Sequence, residues 1–146
     1  MSIFRQLASR YKKQCETNEN HSDPELTTRY YRTNTAQMMQ TIEDLFKADQ
    51  NVNILSISRE RGEIAAEIKK NKACFAIVTV VTVRPFETAV DINISTEQSS
   101  PAGVHPILKG EVLSIYEKVN KRHDFLGSAE TQINSCTCTD NSFFIR

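Results

Sequence analysis

The chain has 146 residues, of which 39% are hydrophobic and 25% are charged. These proportions are typical of one globular domain with a single core, and they exclude wholesale disorder, a fibrous repeat and a membrane class. Acidic and basic residues balance at 18 each. No nucleic-acid partner is expected, because a dedicated nucleic-acid binder needs a concentrated basic face.

The sequence carries no strong signal for a membrane or for secretion. Residues 1–10 lack the unbroken apolar stretch of a secretory signal. The longest apolar run, residues 74–83, is far shorter than the roughly 20 residues of a transmembrane helix. We therefore expect a cytoplasmic protein whose four cysteines are free thiols. Their spacing favours neither a disulfide framework nor a metal site, and the sequence predicts no cofactor.

Residues 1–15 are predicted to form an amphipathic helix. Apolar residues recur there at helical spacing, namely Ile3, Phe4, Leu7, Ala8 and Tyr11. The segment also carries four bases and no acid. Two interpretations stay open: a helix that contacts an anionic membrane surface or a partner, and a helix that docks on its own domain. The residues that would contact a membrane or partner are Phe4, Arg5, Arg10, Lys12 and Lys13.

A polar connector over residues 16–24 separates this segment from a second predicted helix. That helix should begin near Asn34, whose side chain can cap the first turn, with Gln37 three residues further on. Its buried stripe is predicted to consist of Met38, Met39, Ile42, Leu45 and Phe46.

After residue 51 the hydrophobic period changes to two, which predicts four strands at residues 52–58, 63–69, 74–83 and 88–96. Gly62 can supply the positive φ of a tight turn between the first two strands. Residues 74–83 are apolar on both faces apart from Thr79 and Thr82. We expect a central strand that is covered on both sides, or one that faces a cavity for a small apolar ligand.

A third helix is predicted over residues 107–122, with Leu108, Val112, Ile115 and Val119 on its buried face. The predicted fold is α+β: a four-stranded antiparallel meander with helices before and after it, in the order α-α-β-β-β-β-α. The second and third helices should cover one face of the sheet. Residues 1–126 are predicted to be a single domain, and residues 127–146 an irregular or loosely ordered tail.

Three stretches carry a resemblance to a known family. They are His21-x-Asp23-Pro24-Glu25-Leu26-x-Thr28-Arg29-Tyr30-Tyr31, Glu60-Arg61-Gly62-Glu63-Ile64 and Val83-Arg84-Pro85-Phe86-x-Thr88-Ala89-Val90-Asp91. Over residues 1–126 the chain resembles a family of small uncharacterised cytosolic proteins of Gram-positive bacilli. The resemblance implies a bacterial, cytoplasmic protein. It implies no functional residues, because that family has no assigned activity.

Two clusters are candidate sites. Arg29, Tyr30, Tyr31 and Arg32 interleave cations with aromatic rings, which can stack on a ligand or hold an anion. In the alternative interpretation the tyrosines pack against the following helix and the arginines reach solvent. The second cluster is His21, Asp23 and Glu25. These three could share a metal ion, or they could be turn and capping residues.

The sequence contains no organised catalytic motif, so enzymatic activity is left open with a leaning against it. The function expected is that of a non-enzymatic binding module for a small apolar ligand or a protein partner. Its binding surface would be either the sheet face left open by the helices or a cavity beneath the third helix. The alternative is a peripheral membrane or scaffold protein that uses the basic helix of residues 1–15.

Overall fold

The computed structural model describes residues 14–70, 72–98 and 103–128. These ranges contain seven strands and two α-helices. In chain order the elements are β1 (Gln14–Glu16), a 3₁₀ turn (Pro24–Leu26), β2 (Arg29–Tyr31), α1 (Thr35–Ala48), β3 (Val52–Ser58), β4 (Glu63–Lys69), β5 (Ala73–Arg84), β6 (Glu87–Ser95), α2 (His105–Asn120) and β7 (Phe125–Ser128).

All seven strands belong to one antiparallel sheet, in the order β3-β4-β5-β6-β2-β7. β1 lies off this path and also pairs with β6. β1 and β2 occupy successive stretches of the same edge of β6, because Gln14 pairs with Ser95 whereas Tyr31 pairs with Thr88. The chain between β1 and β2 therefore leaves the sheet and returns to it.

The predicted four-stranded fold is wrong. The four predicted strands are present as β3 to β6, but β1, β2 and β7 extend the sheet beyond β6. These three strands have only three or four residues each. A period of two cannot be recognised over so few residues, and their pairing with distant segments gives no local pattern.

Both ends of the predicted fold also need correction. Gln14 and Cys15 lie in β1 and not in a helix, while residues 1–13 lie outside the described residues. At the other end, Gly127 and Ser128 belong to β7, which extends past the predicted domain boundary. The rest of the predicted tail, residues 129–146, also lies outside the described residues.

The two helices lie on one face of the sheet, as predicted, and contact its strands there. The Oδ1 atom of Asn34 accepts a hydrogen bond from the Gln37 amide at 2.8 Å, which confirms the predicted cap of α1. The fully buried side chains of α1 and α2 pack together with β4, β5 and β6 in one core. None of the helices in the described ranges is long and apolar enough to cross a membrane.

Candidate protein-binding face

The two faces of β5 have different surroundings. Cys74, Ala76, Val78 and Val80 face the helices and are buried. The side chains that point the other way form an apolar stripe of Phe75, Ile77 and Val81, which are 46%, 44% and 50% exposed. β5 is therefore central in the sheet, but only one of its faces is covered by the described residues.

The space beneath the helices is too small for an apolar ligand. The gap between α1, α2 and the sheet has a volume of about 10 Å³ and is bordered by Phe46, Ile68 and Ile115. That volume is comparable to the space needed for one water molecule. The buried face of β5 is equally well packed, since Val78 and Val80 have almost no exposed area. The interior here gives no support to the predicted cavity for a small ligand.

Carboxylates flank the apolar stripe on both sides. On β4, Glu63 pairs with Thr79 and Glu67 pairs with Phe75. On β6, Asp91 also pairs with Thr79. Directly opposite residues on neighbouring strands project from the same face of a sheet. The stripe and its flanking carboxylates, including Glu16 on β1, are called the acidic apolar face below.

A shallow polar depression of about 190 Å³ lies at one side of this face. Its lining residues are Glu16, Thr17, Ile77, Thr79, Asp91, Ile92 and Asn93. Two of them are carboxylates, and the others are polar or aliphatic. A depression of this composition can accept the positively charged end of a lysine or arginine side chain.

Asp91 is held in place by two hydroxyl groups. Thr28 Oγ1 donates to Asp91 Oδ1 at 2.6 Å, and Thr17 Oγ1 donates to the same atom at 3.0 Å. Burial raises the pKa of Asp91, and these two hydrogen bonds only partly oppose the effect. A cation brought next to Asp91 by a binding partner would therefore be attracted to a carboxylate that is poorly compensated in the free protein.

An exposed aromatic side chain lies at the hairpin that joins β5 to β6. Phe86 is 71% exposed and has a φ of 60°. A left-handed backbone is unfavourable for a bulky residue by about 1–2 kcal/mol, and such strain often occurs at binding sites. Glycine or asparagine would be the usual choice at this turn position. The hairpin thus displays an aromatic ring at a cost to stability.

The predicted cluster at residues 29–32 is divided between the two faces of the sheet. The Arg29 guanidinium lies 4.4 Å from the ring centre of Tyr116 and 5.7 Å from that of Phe125. Arg32, in contrast, is exposed. The two cations therefore have different surroundings, and Arg29 is already stacked within the protein.

Both tyrosines of that cluster are buried and hydrogen-bonded. The Tyr31 hydroxyl donates to Asn120 Oδ1 at 2.7 Å, and the Tyr30 hydroxyl donates to Glu19 Oε1 at 3.0 Å. Burial, together with the Glu19 carboxylate, raises the pKa of Tyr30 to about 12. Burial of the two rings agrees with one part of the packing interpretation, whereas the stacked Arg29 does not agree with its other part. An anion contact by these four residues stays a prediction.

His21, Asp23 and Glu25 act as turn and capping residues. Asp23 caps the 3₁₀ turn by accepting a hydrogen bond from the Glu25 amide, and its own amide donates to His21 Nδ1. Lys109 Nζ lies 2.6 Å from Asp23 Oδ2 and 2.7 Å from Glu25 Oε2. The described residues contain no group of three or more His, Cys, Asp or Glu side chains placed to hold a metal ion.

The residues predicted to contact a membrane or partner, Phe4, Arg5, Arg10, Lys12 and Lys13, lie outside the described residues. Their role stays a prediction. The sheet face left open by the helices was one of the two predicted binding surfaces, but its acidic rim was not predicted, although the sequence contains a signal for it. β4 and β6 both alternate apolar with polar residues, so the face that carries Glu63 and Asp91 had to be exposed, and β5 lies between them.

Comparison of the chain with protein-family models, with curated proteins and with solved structures found no match. The resemblance to cytosolic proteins of Gram-positive bacilli therefore stays a prediction.

Proposed function

We propose that this protein is a non-enzymatic binding module of the bacterial cytoplasm that recognises a basic, amphipathic segment of a protein partner. The partner segment would place its apolar side on Phe75, Ile77 and Val81 and its cations beside the flanking carboxylates. The observation that carries this proposal is the half-exposed apolar stripe in the centre of the sheet. Exposed apolar surface with a polar rim is characteristic of protein interaction sites.

The chemistry of the rim selects the kind of partner. Glu63, Glu67 and Asp91 border the stripe, and the nearest base on β4, Lys69, is itself 3.4 Å from Glu67. A partner with opposite charge is attracted to such a face, and an acidic partner is repelled. Exposed Phe86 at the hairpin adds an aromatic ring, the type of residue that often anchors an interface.

Two further observations support the cellular setting and the choice of partner. The Cys74 thiol is buried and forms no disulfide with another described residue, as expected in a reducing compartment. The narrow gap beneath the helices favours a protein partner over a small apolar ligand.

Site-specific cross-linking tests the proposal. A photo-reactive amino acid replaces Ile77 in one version of the full chain. In a second version it replaces Lys121, the residue that follows α2, whose side chain is 74% exposed. Both proteins are irradiated in host lysate, and the attached peptides are sequenced by mass spectrometry. The proposal predicts that position 77, and not position 121, captures a peptide with several bases and with apolar residues at helical spacing.

A synthetic copy of the captured peptide then provides a quantitative test. Val81→Glu should weaken its binding about tenfold, because burial of a valine side chain is worth ~1.5 kcal/mol. Ala48→Glu is the matched control, since Ala48 is exposed on α1, on the side of the sheet opposite to the stripe. Equal capture at positions 77 and 121, or an acidic captured peptide, would overturn the proposal.

A further inference from the structure

We infer that the chain forms a symmetric dimer in which strand β3 pairs antiparallel with β3 of a second copy. The surface concerned is the outer edge of β3, where the described sheet ends. The pairing follows from the geometry of β3 and does not depend on the proposed function.

The outer edge of β3 is long and uncharged. Among the described strands, β3 has β4 as its only neighbour, and its seven residues, Val52–Ser58, include no charge, no proline and no glycine. Natural proteins usually protect an exposed edge with charges, with proline or by making the strand short. β7, at the opposite edge, has only four residues. β3 is therefore the edge that favours the addition of another strand.

The helix-facing side chains of β3 are incompletely buried. Ile54 and Ile57 pair with Ala66 and Ile64 of β4, which are fully buried. Ile54 and Ile57 pack against the same core but remain partly exposed, because no described strand covers their outer side. A further strand beside β3 would bury apolar area that the single chain leaves in water.

A bulge makes β3 complementary to itself. The register with β4 shifts at Leu55, so Ile54 and Ile57 lie opposite residues that are two apart on β4 and therefore share a face. An antiparallel pair centred between Leu55 and Ser56 places Ile54 of each copy opposite Ile57 of the other, and Leu55 opposite Ser56. No charge meets a like charge in this register, which favours a second copy over a partner selected by its charge.

The symmetry of such a pair fixes the arrangement of the two copies. Antiparallel neighbouring strands are related by a two-fold axis perpendicular to the sheet, so both helix layers lie on one side. The two acidic apolar faces lie together on the other side, with their stripes five strand spacings, about 24 Å, apart. The dimer would therefore present two binding faces to one partner, a consequence that alone rests on the proposed function.

Sedimentation velocity of the purified full chain over a range of concentrations tests the inference. The parent protein should form dimers, and Leu55→Lys should raise the dimer dissociation constant about tenfold or more, because it brings two like charges together beside the two-fold axis. Val81→Lys is the matched control, since Val81 is 50% exposed, against 52% for Leu55, but lies on β5. It should leave the dissociation constant unchanged.

A mixture of two variants separates charge repulsion from misfolding. Leu55→Glu should also weaken the dimer when it is measured alone. An equimolar mixture of Leu55→Lys and Leu55→Glu should restore dimers, because opposite charges then lie about 7–8 Å apart across the axis. A mixture that stays monomeric while the parent protein forms dimers would overturn the pairing through β3.

Hydrogen exchange locates the contact within the chain. The amides of residues 52–58 should exchange more slowly as the protein concentration rises, whereas those of residues 125–128 in β7 should not change. A monomer at every concentration overturns the inference, even if a strand of another protein adds to β3. Dissociation by Val81→Lys and not by Leu55→Lys also overturns it. Capture at position 77 tests the proposed function separately, because Ile77 lies on β5 and not at this edge.

Discussion

The Arg29 guanidinium lies 4.4 Å over the ring of Tyr116, so a cation of β2 stacks on an aromatic residue of α2. The Tyr116 hydroxyl donates to the backbone oxygen of Val90 at 2.7 Å. One aromatic side chain thus joins the helix layer to β2 and β6. The contact connects segments that are far apart in sequence, and it holds β2 in place between β6 and β7.

Replacement of Arg29 by methionine should lower the free energy of unfolding by about 1 kcal/mol. Methionine keeps much of the aliphatic stem but loses the cation that interacts with Tyr116. Arg32→Met is the matched control, because Arg32 is exposed, and its effect should stay within about 0.5 kcal/mol. Urea denaturation measures both values. Equal losses of unfolding free energy in the two variants would show that the contact between Arg29 and Tyr116 does not stabilise the fold.

Two glycine-to-alanine substitutions should have opposite effects on stability. Gly62 has a φ of 71°, and an added Cβ would collide with the backbone oxygen of Val80. Gly62→Ala should therefore destabilise the protein by at least ~2 kcal/mol. Gly110 lies within α2, where an added Cβ meets no atom within 4 Å. Gly110→Ala should stabilise the protein by about 0.5–1 kcal/mol.

Thermal melts of the two alanine variants check this prediction. A lower melting temperature for Gly62→Ala together with a higher one for Gly110→Ala would agree with the geometry. Destabilisation by Gly110→Ala would contradict the open surroundings of that position.

Lys109 should stabilise the connector between β1 and β2 by bridging Asp23 and Glu25. Burial disfavours the charged form of Asp23, but hydrogen bonds from Lys109 and from the Glu25 amide outweigh this effect and lower the pKa of Asp23. Lys109→Ala should cost about 1 kcal/mol at pH 7. Lys121→Ala is the control, because Lys121 and its partner Glu117 are both 74% exposed, and its effect should be near zero.

The loss in Lys109→Ala should depend on pH. The folded-state pKa of Asp23 lies below the ordinary value of 3.8, so its stabilisation is present above pH 3.8 and disappears as the pH falls through the folded-state value. The Lys109 pKa is raised above 10.5 by hydrogen bonds to Asp23 and Glu25. The same stabilisation is therefore lost as the pH rises through that higher value. A loss that is the same at pH 3 and pH 7 would contradict the ion pair.

Asp91→Asn should raise the melting temperature at pH 7. Burial raises the pKa of Asp91 above 3.8, so the ionised carboxylate destabilises the folded protein at neutral pH. The asparagine oxygen can still accept hydrogen bonds from Thr28 and Thr17. The stability of the parent protein should rise as the pH falls toward 3.8, and the advantage of the variant should diminish over the same range.

The same substitution should weaken the binding of a basic peptide, because it removes a carboxylate from the acidic apolar face. Asp44→Asn is the control for both measurements, because Asp44 is exposed on α1. A variant that loses stability at pH 7, or that binds the basic peptide as tightly as the parent, would contradict the role assigned to Asp91.

Local patterns were enough to predict several elements. The alternation of Ile64, Ala66 and Ile68 identified β4, and the Asn34 cap identified the start of α1. Both features are patterns among residues close in sequence, so they can be recognised without knowledge of the tertiary structure. The predicted α2 begins two residues late, since the structure has it at His105.

The sequence by itself determined the long strands and the two described helices, because their hydrophobic periods repeat over seven or more residues. It also determined that the strand at residues 74–83 is apolar on both faces. Only the tertiary structure decided that Phe75, Ile77 and Val81 remain half-exposed. The physical reason is that burial depends on which distant elements cover a face, and both helices pack on the opposite side of the sheet.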